Sequence, residues 1–311
     1  MRLFRDADYD LIGARRRAYV VSAVLIVAGL ASLIARGGLN PGVEFTGGTM
    51  IRVEIAGTTD VATFRDMLTG IGYGNSQIQQ LRGTGGAGEE YVLRVQTFEG
   101  DDLTDVRNNL ESALEGAFGA DGYTVRRTAG IGPKVGDELR QKALVAILLS
   151  FLLTLVYLAF RFEWRFGVAA VIATIHDIVI TFGFIALFNV EITLATVAAL
   201  LTIVGYSLND TIVVFDRVRE NLRKKRKEPY AQTLNRSINE TLPRTVLTSG
   251  TTLMALLSLC VLGGAVIRPF ALVLIFGVLI GTYSSIFVAS PALHEIEERA
   301  KRRTARAPAT T

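Results

Sequence analysis

The sequence predicts an α-helical membrane protein with six transmembrane helices and one external α+β domain between helices 1 and 2. Three observations predict it. Six long apolar runs recur in a chain of 311 residues that is 50% hydrophobic and 20% charged, with mean hydropathy +0.37. Lys and Arg gather on alternate connections between those runs. Residues 42–132 show strand and helix periodicities instead of an apolar run. This composition fits neither collagen, coiled coil, disulfide scaffold nor disordered chain. The lone Cys260 excludes an intramolecular disulfide and a multi-Cys metal site. Two histidines leave little for a His-based centre, so no metal or cofactor is expected.

A spanning helix needs about 20 mostly apolar residues. Residues 1–17 form an N-terminal segment, followed by the run Ala18–Ala35 and a first span over 18–36. A cleaved signal peptide is the rival reading, with Arg15–Arg17 as its positive flank and Ala31 and Ala35 near its end. Seventeen residues precede the run, and it exceeds a typical signal core, so an uncleaved span is the better reading. Later runs place spans at 139–160, 166–188, 192–215, 244–265 and 269–293. Residues 216–242 make a basic loop and 294–311 a tail, of which 301–311 reads as disordered.

Within 42–132, Met50–Ala56 alternates as a strand, with Ile51, Val53 and Ile55 on one face. Thr58–Gly70 carries Val61, Phe64 and Leu68 at helical spacing, with Thr58 or Thr59 as the cap. Ser76–Arg82 and Glu90–Thr97 are strand-like around the glycine-rich turn Gly83–Gly88. Asp102–Phe118 is a second helix and Tyr123–Thr128 a fourth strand. The order βαββαβ is the ferredoxin-like split motif. Gly83–Gly88 lacks the Lys-Ser/Thr of a phosphate loop and joins strands, so it is a turn. The domain has no His and no Cys.

Counting Lys and Arg sets the orientation. Residues 1–17 carry five, 161–165 two, 216–244 nine and 294–311 five. The short loops of the other side, 189–191 and 264–268, carry only Arg268. Both termini are therefore expected in the cytoplasm and 42–132 outside. The run Arg223–Lys227 reads as a topology determinant beside anionic lipid. It has no aromatic interleaving, so no nucleic-acid partner is expected.

Charge at membrane depth costs at least about 2.5–3.5 kcal/mol at a helix centre, so such residues face protein or water. Asp210 follows a stripe of small and polar residues, Ala198, Thr202, Gly205 and Asn209, that suits close helix packing. Arg244, after Pro243, is expected to start the fifth span on the same side of the membrane. It is either a partner that sets the charge of Asp210 or an ordinary snorkelling residue. His176 and Asp177 lie mid-way along the third span, as a structural pair or as a proton relay. A Ser-His-Asp hydrolase would need a nucleophile motif such as G-x-S-x-G, and none is present. Gly277, Gly281, Ser285 and Ala289 form a second small-residue stripe, a helix-packing face.

Five stretches carry a resemblance. They are Gly42-Val-Glu-Phe-Thr-Gly-Gly-Thr49, Val135-Gly-Asp-Glu-Leu139, His176-Asp177, Gly205-Tyr-Ser-Leu-Asn-Asp-Thr211 running into Phe215–Asn221, and Arg244–Thr252. Together they resemble the SecF branch of the SecD/SecF family of protein-export membrane subunits, within the RND superfamily, over almost the whole chain. The resemblance implies a SecD partner, a SecY-containing translocon, an exported unfolded polypeptide and the bacterial cytoplasmic membrane. It implies coupling to the proton gradient late in export, with the proton as coupling ion and no cofactor. It carries the family's proton-passage residues onto Asp210 and Arg244, with Asn209, His176 and Asp177 beside them. Against it stand an RND half-transporter for a lipid or small molecule, a non-coupling structural subunit and an intramembrane enzyme. Half-transporters of that kind usually carry larger external domains and a duplicated six-span unit.

Overall fold

Among the described residues, six helices are long and apolar enough to cross a membrane. The computed structural model describes residues 7–74, 76–81, 89–95, 102–224 and 228–306. The turn Gly83–Gly88, strand ends Arg82 and Gln96–Thr97, residues 225–227 of the basic run, Arg2, Arg5 and residues 307–311 lie outside them. The spans are Arg15–Ala35, Pro133–Arg161, Trp164–Leu187, Leu194–Lys224 and Tyr230–Leu262. The sixth is Gly264–Ser284, continued through a π-helical turn, Ser285–Ala289, into Ser290–Arg306. The chain divides into two units, Pro41–Val145 and the remainder.

In the small unit, strands Gln77–Leu81, Glu89–Val95, Gly48–Ile55 and Tyr123–Ile131 pair in that order, every neighbour antiparallel. Helices Val61–Gly70 and Leu103–Phe118 complete the βαββαβ order. Their apolar faces, Phe64 and Leu68 with Val106, Leu110 and Leu114, close over Ile51, Val53, Ile55, Leu93 and Val95. Each such buried side chain is worth about 1.5–3 kcal/mol. Asp60, not Thr58 or Thr59, caps the first of these helices, accepting from Ala62 N. Thr59 is committed elsewhere: its amide donates to Glu89 Oε2 at 3.1 Å and its carbonyl accepts from Tyr91 Oη. The Tyr91 hydroxyl also lies 2.7 Å from Glu89 Oε2, so its one proton is shared between the two acceptors. Burial and this carboxylate push the Tyr91 phenol up to about 12, and the same bond lowers Glu89.

The paired glycines before the first strand are a backbone requirement. Gly47 and Gly48 have φ of +71° and +130°, a region that side-chain-bearing residues avoid. A Cβ on Gly136 would also lie 2.8 Å from Gly47 N, so the two segments touch backbone to backbone.

The bundle contacts fix helix directions. Ser22 meets His176, and seven residues on, Gly29 meets Gly183, so the first and third helices run parallel. Gly277 meets Ile203 and Gly281 meets Ser207, so the fourth and sixth also run parallel. Asp177 meets Ser284 while Phe184 stacks on Phe276, so the third and sixth run antiparallel. This is up-and-down alternation. The third, fourth and sixth helices are more than half buried, and the first, second and fifth are largely exposed.

Several helices outrun their apolar segments. The fifth starts at Tyr230 and passes straight through Pro243, so Arg244 lies inside a helix rather than at its start. Hydroxyls in the turns before Pro243 bond back to the helix: Thr241 Oγ1 donates to Ser237 O at 3.0 Å, and Ser237 Oγ to Thr233 O at 2.7 Å. The polar half Tyr230–Leu242 packs Leu234 and Ile238 against Val214, Phe215 and Val218 of the fourth helix and against Ile12. Asn235 and Asn239 clasp the N-terminal segment: both amides donate to Tyr9 O, and their oxygens accept from the amides of Tyr9, Leu11 and Ile12. Of the tail 301–311, expected to be disordered, residues 301–306 are helical, as the end of Ser290–Arg306, in which Arg299 and Glu295 pair one turn apart.

Candidate functional site

Two polar networks sit side by side within the bundle. The first centres on Asp177, 1% exposed. Its Oδ1 lies 2.8 Å from His176 Nδ1. Its Oδ2 accepts from Ser284 Oγ at 2.6 Å and from Ser207 Oγ. His176 Nε2 lies 2.9 Å from Ser22 Oγ, which lies 3.2 Å from the Tyr283 hydroxyl, and that hydroxyl donates to Ala18 O at 2.7 Å. First, third, fourth and sixth helices thus meet in one chain of bonds.

Proton counting follows from the donors. Tyr283 gives its only proton to Ala18, so Ser22 donates to Tyr283 and accepts from His176 Nε2–H. Nδ1 then either accepts a proton held by Asp177 or donates to an ionised Asp177. Both arrangements hold the same number of protons.

The second network centres on Asp210, one helical turn after Ser207 and 3% exposed. Its carboxylate accepts one long bond, 3.5 Å from Ser249 Oγ. Ser249 in turn lies 2.6 Å from Thr282 Oγ1 and accepts from Tyr206 Oη at 3.3 Å. Arg244 is close enough for its charge to act on Asp210. No ion pair within 4.0 Å joins them among the described residues. Beside them, Thr211 Oγ1 and Thr245 Oγ1 are buried with no hydrogen-bond partner. Buried hydroxyls without partners are rare, and these two directly follow Asp210 and Arg244 in sequence.

The structure brings His176 and Asp177 into one network and Asp210 into another; Arg244 and Asn209 are exposed on the bundle surface. The stripe Ala198, Thr202, Gly205 and Asn209 is exposed along its length. The other stripe is consumed within the chain, where Gly277 and Gly281 admit Ile203 and Ser207. Ser22, Ser207, Ser249, Thr282, Tyr283 and Ser284 were not singled out from the sequence. Lone hydroxyls in apolar runs carry little signal, although Ser207 and Tyr206 fall within a stretch already marked.

Comparison with known proteins bears on this arrangement. Residues 111–299 match the model for the protein export membrane protein SecD/SecF, C-terminal, and residues 32–58 the SecD/SecF GG motif. The chain is 45% identical over 305 residues to protein translocase subunit SecF of Gemmatimonas aurantiaca, covering 96% of this chain and 90% of the relative. It is 43% identical over 308 residues to SecF of Magnetococcus marinus, covering 98% and 97%. It superposes with a TM-score of 0.84 on the crystal structure of SecDF, a translocon-associated membrane protein from Thermus thermophilus. That match is 38% identical and covers 96% of this chain but 40% of the SecDF chain. A SecDF structure in a super-membrane-facing form matches over the same 96% with a TM-score of 0.69. With six apolar helices, the Gly47-Gly48 turn and alignment along nearly its whole length, the chain belongs to the SecD/SecF family of protein translocase subunits and is a multi-pass membrane protein.

Proposed function

We propose that this chain works with a SecD partner at a SecY-containing translocon of the bacterial cytoplasmic membrane. There it uses the proton gradient to assist late steps of polypeptide export. The observation that carries the coupling is the contrast between the two carboxylates. Asp177 is hydrogen-bonded through both oxygens, while Asp210, also buried, has among the described residues one bond, at the limit of useful length. A carboxylate so weakly held can change its charge without dismantling the helix packing. Arg244 stands near enough to favour one charge state and is not locked to it. Asn209 and the His176–Asp177 pair join the proposed relay, the pair tying its charge arrangement to the positions of four helices. The exposed stripe Ala198 to Asn209, next to Arg244, is the proposed seat of SecD, because small residues let helices approach closely. The unequal match to two SecDF forms supports a cycle with more than one arrangement.

Purification through a tag in mild detergent should recover SecD and translocon subunits with this chain. Recovery of the chain with neither would overturn the export reading. Orientation is checked separately in a Cys260→Ala background. Asp66→Cys, in the small domain, should react with an impermeant thiol reagent from outside intact cells, and Arg302→Cys should not. The reverse pattern would invert the proposed topology.

A further inference from the structure

A groove of about 370 Å³ lies between the second and third helices. Leu155, Leu158, Phe162, Trp164, Val168 and Ile172 line it, and its surface is almost wholly apolar. Gly167 leaves it open, since a Cβ there would meet only Leu158 O, at 4.0 Å. The groove is on the outside of the bundle: Trp164 is 66% exposed, and Val168 and Ile172 are exposed as well.

One end of this apolar groove is ringed by guanidinium groups. Arg161 and Arg219 lie 5.1 and 5.7 Å from the Phe162 ring centroid, and Arg165 lies 5.6 Å from that of Trp164. Asp216 pairs with Arg161 and with Arg219, and Glu297 pairs with Arg165. Each pair engages one nitrogen of a five-donor group. Glu163, the remaining carboxylate of this turn, is exposed.

We propose that this groove binds a phospholipid, one acyl chain lying in the groove and the phosphate resting on Arg161, Arg165 and Arg219. At hydrocarbon depth an open apolar slot forfeits dispersion contacts along its walls, so something fills it. Burial from water does not choose the occupant there, because lipid tails are as apolar as leucine. Shape and the charged end choose it. A neighbouring apolar helix would fill the slot but bring no anion to three arginines. A phospholipid brings both parts, and the guanidinium fork suits a phosphate. Basic pockets between helices at a membrane face are suited to lipid headgroups, and tryptophan favours the same level.

Trp164 is the single tryptophan of the chain, so it reports on its own groove. The full chain is reconstituted in bilayers of a phosphate-free glycolipid doped with phospholipid brominated on its acyl chain, and tryptophan quenching is followed against brominated fraction. Quenching should exceed the level set by that fraction. Gly167→Leu, which fills the slot, should remove the excess, and Arg165→Gln should reduce it. On the unaltered chain, brominated diacylglycerol, which lacks phosphate, should give no excess. Quenching strictly proportional to the brominated fraction would overturn the site. Equal excess from diacylglycerol would overturn the role of the arginines. Loss of the excess in the purified complex with SecD would assign the groove to a partner helix instead.

Discussion

Asp210→Asn should abolish the part of polypeptide export that depends on the proton gradient, at unchanged protein level. The side chain keeps its shape and can still accept from Ser249 Oγ, its one hydrogen-bond partner among the described residues. It loses only the ability to ionise. A fall of at least about tenfold in the gradient-dependent rate corresponds to about 1.4 kcal/mol on the limiting step, a small demand for removing a coupling charge. Arg244→Met, which keeps length without charge, should match it, and the double variant should be no worse than either, because both changes break one cycle. The measurement is export in membrane vesicles with and without an uncoupler. Asp177→Asn should behave differently. Its amide nitrogen would face hydroxyl donors or the imidazole inside a filled network, and an unmet buried group costs about 1–3 kcal/mol. The expected result is a lower protein level, with a smaller loss of coupling in the protein that remains than Asp210→Asn causes. Full gradient dependence with Asp210→Asn at normal level would sink the coupling assignment and leave a structural subunit.

The second large effect is steric. A Cβ on Gly183 would sit 2.8 Å from Gly29 Cα, and one on Gly29 would sit 2.6 Å from Gly183 Cα. Neither neighbour has a side chain that can swing aside, so the two helices must separate. Overpacking of this kind costs typically about 1–3 kcal/mol or more. Separation would also stretch Ser22 away from His176 and Tyr283, which are held at 2.9 and 3.2 Å. Gly183→Leu should therefore lower the thermal midpoint of the detergent-solubilised chain by several degrees. Gly205→Leu is the matched comparison, since that position is exposed and a Cβ there meets nothing within 4 Å. Equal midpoints for the two variants would show that the first helix is not seated through this crossing.

Much of this molecule could be read before it was seen, and the reasons differ by element. The six apolar helices and the six-element order of the small domain follow from periodicity, which is local. Asp177 and Asp210 stood out because a carboxylate in an apolar run is conspicuous by type. What separates their surroundings is not local. Ser207 and Ser284 lie 30 and 107 residues from Asp177 and meet it only through helix crossings. Composition likewise could not show that the Gly277 stripe packs inside the chain while the Ala198 stripe remains outside, since both have the same small-residue pattern. The extension of the fifth helix through Pro243 was obscured because proline ordinarily ends a helix, and what carries this one past it is the packing of Leu234 and Ile238 against distant residues.

The clasp on Tyr9 has a consequence for biogenesis. Tyr9 bonds to Asn239, 230 residues further along the chain. At about 5–20 residues per second, that interval of synthesis takes on the order of 10–50 s. For most of it the first helix is already long enough to enter the bilayer, while Asn235 and Asn239, which hold the segment before it, are still to be made. The N-terminal segment is thus made first and fastened late, when the ribosome has delivered the polar half of the fifth helix. A nascent chain stalled before that turn would carry its first helix with the clasp still undone.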